Sequence, residues 1–129
     1  MMMIHLVALA TGRPAKNTKR VNKVRRLAVY IRDGFACQCC GRDLRDMMAC
    51  CVTLDHLDPR SEGGNNDGNN LVTLCWECNT GRGARPWRDF YPPGAVIRVE
   101  AQRHKPLNEQ LAAALIEGTA GDEELEAAR

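Results

Sequence analysis

Aromatic side chains are scarce. Phe, Trp and Tyr make up 5% of the 129 residues, although hydrophobic residues reach 44%. Large rings dominate core burial, and a chain of this length has room for one core plus tails, so a soluble globular fold needs some other source of cohesion. Long apolar runs are missing as well. The opening MMMIHLVALATG is far too short to span a bilayer and has no basic segment ahead of its apolar stretch, so it reads as neither a membrane span nor an export signal. Acidic residues are absent from positions 1–32, which carry Arg13, Lys16, Lys19, Arg20, Lys23, Arg25, Arg26 and Arg32, whereas residues 93–129 hold seven acids against four bases. A basic arm suits a partner rich in phosphates; a solvated basic helix explains the charge equally well.

What is plentiful is cysteine: Cys37, Cys39, Cys40, Cys50, Cys51, Cys75 and Cys78. An odd count without an export signal favours a metal site in a reducing, cytoplasmic compartment over disulfides. Cys37-Gln-Cys-Cys40 and Cys75-Trp-Glu-Cys78 are two C-x-x-C pairs with 34 residues between them. Four such thiolates form the tetrahedral cage that Zn²⁺ favours, with Zn–S near ~2.3 Å. Metal binding then becomes folding energy, which answers the poor core. Cys39 could replace either member of the first pair, but the x-x spacing followed by Gly41 leaves room for a knuckle to turn. Cys50 and Cys51 read as ordinary thiols.

Positions 12–20 are polar, basic and broken by Pro14, which predicts a flexible basic arm over 1–20. Val21, Val24, Leu27, Ala28 and Ile31 then recur at helical spacing, with Gly34 able to cap the end and Arg20, Lys23 and Arg26 or their neighbours on the outer face. Val52–Leu57 alternates with β-branched residues and predicts a strand ending before Pro59. Asp58–Asn69 carries Gly63, Gly64 and Gly68 and predicts a compact surface loop. Leu71–Leu74 follows as a second strand, and after Cys78 Gly81 and Gly83 permit a short helix at best. Trp87, Phe90 and Tyr91 read as rings packed over a small core. Ala95–His104 and Leu107–Glu117 are expected helices separated by Pro106, the first also open to a strand, and the acidic tail is expected to fray.

Between the knuckles lies chemistry. The His56 imidazole can take a proton from water near neutral pH, and Asp55 offers a hard oxygen of the kind Mg²⁺ prefers. Asn79 follows Cys78 directly, and Arg82, three residues on, shares that face of a helical turn. The order is Cys pair, Asp-His, Gly-rich loop, Asn-Leu-Val, Cys pair, Asn. Carried by "CQCCG", "LDHLDPRSEGGNNDGNNLVTLC" and "CWECNTGRG", it resembles the HNH endonuclease family over about Arg25–Arg88.

That resemblance implies an α+β fold, a small zinc-stapled ββα-metal core with flanking helices. It places an HNH nuclease domain at 21–92 and leaves a C-terminal helical extension with an acidic tail at 93–129. It assigns a metal ligand to Asp55, the general base to His56 and the orienting, loop-steadying role to Asn70. The family's last position, often His, is here Asn79, whose amide oxygen leaves ligation of a hard ion plausible. The expected cofactors are structural Zn²⁺ on Cys37, Cys40, Cys75 and Cys78, and catalytic Mg²⁺ or Mn²⁺ on Asp55 and Asn79. Hydrolysis of double-stranded DNA would run through His56, with Arg82, or Arg85, neutralising a phosphate oxygen. Free-standing nucleases of this kind look like those of phages and mobile elements, or of restriction and packaging systems. A non-catalytic zinc module that binds nucleic acid, or an RNA-directed nuclease, are the alternatives. One geometric tension arises: neighbours on a regular strand face opposite sides, so Asp55 and His56 meet one phosphate only if the strand bends or ends there.

Overall fold

A computed structural model describes residues 2–12 and 21–127. Chain order is α1 (Met2–Thr11), α2 (Lys23–Arg32), a 3-10 turn (Ala49–Cys51), β1 (Val52–His56), two short 3-10 turns, β2 (Leu71–Cys75), α3 (Trp76–Arg82), α4 (Trp87–Phe90), α5 (Pro93–Gln102), α6 (Glu109–Glu117) and α7 (Asp122–Ala127). Helices therefore surround one two-stranded antiparallel sheet, the mixed fold class expected. Its register runs from Val52↔Cys75 to His56↔Leu71. An isolated two-stranded hairpin is marginal in water. Here α2 covers β2 while α3 lies on both strands, so both sheet faces are buried from Val52 to Asp55 and from Leu71 to Cys75.

The core joins Leu27, Val29 and Tyr30 of α2, Leu54 and Val72 of the sheet, and Leu115 of α6 in one cluster. Asn22 caps α2 through its side chain, accepting from the Arg25 amide at 2.8 Å. The segment after α5 is no loose appendage: α6 packs along α2, and α7, where fraying was expected, buries Leu125. Residues 2–11, expected within a flexible arm, are instead the helix α1. Leu6, Leu9 and Ala10 recur on one side of it at spacings of three and one, and α2 and α6 bury them. Arg13, Lys16, Lys19 and Arg20, the arm's charged positions, lie outside the described residues. No described helix is long and apolar enough to cross a membrane.

The outward basic face expected on α2 is largely occupied by internal work, because neighbours flank this helix on several sides. Arg26 is 3% exposed, and its Nη2 donates to the Val21 carbonyl at 3.1 Å. Arg32 pairs with Asp33 at 3.0 Å and donates to the carbonyls of Gly68 and Leu71. Arg25 pairs with Glu109 at 3.0 Å and donates to the Asn66 carbonyl at 2.9 Å. Two of these arginines thus brace the loop between the strands.

Candidate functional site

The zinc cage forms where three elements meet. Cys37 and Cys40 lie in the turn after α2, Cys75 ends β2, and Cys78 stands on α3. Their four Sγ atoms lie within 4.8 Å of one another, and a tetrahedron with Zn–S bonds of ~2.3 Å has sulfurs about 3.8 Å apart, so the set fits zinc. In each knuckle the last amide points at the first sulfur: Cys40 N–H to Cys37 Sγ at 3.5 Å and Cys78 N–H to Cys75 Sγ at 3.4 Å. Gly41, at φ +82°, lets the first knuckle turn back, its amide donating to the Cys37 carbonyl at 2.8 Å. Cys75 also serves as N-cap of α3, which therefore starts at Trp76 rather than after Cys78. Burial pushes the Cys37 thiol up to about 11 and raises Cys78 as well, so zinc entry must displace protons.

At the other end of the hairpin stands His56, half-buried on the last residue of β1. Its Nε2 lies 2.7 Å from Asn66 Oδ1. With that oxygen as acceptor, the ring hydrogen sits on Nε2 and the Nδ1 lone pair is left for a proton. Asn70, 6% exposed, closes the loop beneath: its Oδ1 accepts from the Asp58 amide at 2.8 Å, and its Nδ2 donates to the carbonyls of Asp58 and Asn65 at 3.0 and 2.8 Å. Its link to His56 therefore runs through the Asn65–Asn66 backbone, not by direct contact. Gly64 lets the loop double back, since a Cβ there would sit 1.7 Å from the Asp58 carbonyl oxygen.

Asp55 points the other way. The strand stays paired through His56, so the two neighbours face opposite sides, as the alternation of a regular strand requires. Asp55 is 5% exposed, with Oδ1 2.6 Å from Arg82 Nη1 and Oδ2 accepting from the Tyr91 hydroxyl at 2.6 Å. Burial pushes this carboxyl up while Arg82 and Tyr91 pull it down. Burial, and then the Asp55 charge, raise the Tyr91 phenol, which keeps its proton and donates. Arg82, 3% exposed, donates further to the carbonyls of His56, Leu57 and Arg85 at 3.0, 2.9 and 2.8 Å. Asn79 donates its amide to Thr53 Oγ1 at 2.9 Å and to the Leu54 carbonyl at 3.2 Å. Asp55 and Asn79 thus share the α3 side of β1. In this arrangement, however, both Asp55 oxygens are engaged beside a guanidinium, and the pair does not fit a divalent ion.

Arg85 is exposed; its guanidinium donates to the carbonyls of Gly81 and Arg82 and lies 4.7 Å from the Phe90 ring centroid. Asn66, Tyr91 and Arg25 are partners that the sequence alone does not single out. Asn66 is one of four asparagines between Asp58 and Leu71, with nothing local to distinguish it. Tyr91 carries a signal only in hindsight: a buried phenol needs an acceptor.

A hairpin whose ends join a thiolate knuckle and a histidine, backed by one short helix, defines a zinc-stapled ββα unit. Residues 37–85 match the family model of the HNH endonuclease, from the first cage cysteine to Arg85. No curated protein and no solved structure matches the chain.

Proposed function

We propose that this chain hydrolyses phosphodiester bonds in DNA with His56 as general base. The observation that carries the reading is the placement of His56: half-exposed at the strand end, with Nε2 anchored on Asn66 and the loop behind it pinned by Asn70 and Arg25. A base held in this way could take a proton from a water attacking phosphorus in line with the departing 3′ oxygen. Arg85 is exposed, and by releasing the carbonyls of Gly81 and Arg82 it could turn to a phosphate oxygen, whereas Arg82, buried and engaged by four oxygen acceptors, serves to position. Mg²⁺ or Mn²⁺, expected on Asp55 and Asn79, could bind there only if Arg82 and Tyr91 released the carboxylate. Seven free thiols suit a reducing, cytoplasmic setting.

The engagement of Asp55 favours a second reading, a zinc module that binds nucleic acid without cutting it. Incubating zinc-loaded protein with supercoiled plasmid, in Mg²⁺, in Mn²⁺ and with neither, separates the two. The expected result is nicked or linear DNA from the wild type. His56→Ala should keep its zinc and DNA affinity and lose cleavage by about a hundredfold. Binding without cleavage in every buffer would replace the nuclease reading with the binding module, whereas full cleavage by His56→Ala would overturn His56 as the general base. A parallel RNA substrate tests which nucleic acid is preferred.

A further inference from the structure

Outside the cage and the His56 site, two thiols stand together. Cys50 and Cys51 are consecutive in the 3-10 turn that precedes β1, with Cys50 exposed and Cys51 half-buried. Consecutive side chains often diverge, yet these Sγ atoms are 3.7 Å apart and touch. Neither belongs to the four-sulfur cage, although Cys51 directly precedes Val52, the strand partner of the cage ligand Cys75.

Two reactions suit paired thiols, and geometry chooses between them. A disulfide normally joins Cα atoms roughly 4.4–6.8 Å apart and draws the sulfurs to about 2.05 Å. Consecutive Cα atoms across a trans peptide are only about 3.8 Å apart, so a bond between Cys50 and Cys51 would strain the backbone just ahead of the sheet. Chelation leaves the sulfurs apart and suits thiolates, which select soft ions. Two ligands are too few for a closed structural zinc site, which takes four. We infer that Cys50 and Cys51 form a dithiol site for a soft, thiophilic species that bridges two sulfurs, of which a trivalent arsenical is the type.

With phenylarsine oxide the chemistry balances without an oxidant. Each sulfur forms a bond to arsenic, the As=O bond breaks, and its oxygen leaves as water with the two thiol hydrogens. Arsenic stays trivalent throughout. Competition from the other cysteines is limited, because Cys37, Cys39 and Cys75 are buried and zinc holds the cage thiolates.

The test treats the zinc-loaded full-length protein with one equivalent of phenylarsine oxide and follows intact mass, peptide mapping and zinc content. One adduct per chain is expected on the peptide containing Cys50 and Cys51. It should survive excess 2-mercaptoethanol, be stripped by 2,3-dimercaptopropanol, and leave the zinc in place. Cys50→Ser and Cys51→Ser should each reduce the monothiol-resistant adduct to background while retaining zinc. An adduct that persists in the double serine variant, one that maps to the cage with loss of zinc, or the absence of any monothiol-resistant adduct on the wild type overturns the assignment. Because neither thiol touches the nuclease assignment, this result is independent of whether the chain cuts DNA.

Discussion

Asp55 shows how one carboxylate can be claimed by two roles. Removing its charge leaves Arg82 buried without its counter-ion, and breaking a buried pair typically costs about 3–5 kcal/mol. Asp55→Asn should therefore lower the denaturation midpoint by an amount on that order, read by chemical unfolding with zinc present. Tyr91→Phe removes only the hydroxyl donor at 2.6 Å and should cost less, about 1–3 kcal/mol. If Asp55→Asn left stability untouched, the carboxylate would be free for an ion after all. In the sequence, Asp55 and His56 stand out as chemistry. Which face each takes is not legible there, because that depends on Tyr91, 36 positions away, reaching the carboxylate through the tertiary fold.

Among the elements, the hairpin is the most legible, because its signals are local: β-branched alternation, a Gly-rich loop and a knuckle at each end of the module. The start of α3 is not, since Cys75 is at once a member of the four-sulfur cluster and the helix cap, and cysteine is not among the residues that ordinarily signal a cap. Cys75→Ser should lose its zinc. Elemental analysis of wild type should find one zinc per chain, and the variant should lose zinc and helical content together. A folded Cys75→Ser protein without metal would mean that the apolar core holds the hairpin unaided.

At the scale of the whole molecule, the charge asymmetry is visible in the sequence but its use is not. Arg25, Arg26 and Arg32 are drawn into internal bonds, because α1, α6 and the loop between the strands close around α2, and no run of charges discloses such neighbours. Nor does the short apolar opening reveal that α1 packs into the core. Deleting residues 1–20 would remove Leu6 and Leu9, each worth about 1.5–3 kcal/mol on burial, and would confound unfolding with weakened affinity. Changing Lys16, Lys19 and Arg20 to Gln is the cleaner experiment. If these residues meet phosphates, the slope of log affinity against log salt should fall by about 0.9 for each phosphate no longer neutralised. An unchanged slope would leave the arm a bystander. The bridging position of α3 has a practical corollary for any such assay. It begins on two cage thiolates and ends in Arg82, which holds the carbonyls on either side of the β1 terminus. A chelator strong enough to extract zinc would loosen this strut and silence His56 indirectly. Inhibition by EDTA would then look like a magnesium requirement even in a protein that has none, so only leaving magnesium out of a zinc-replete reaction asks the intended question.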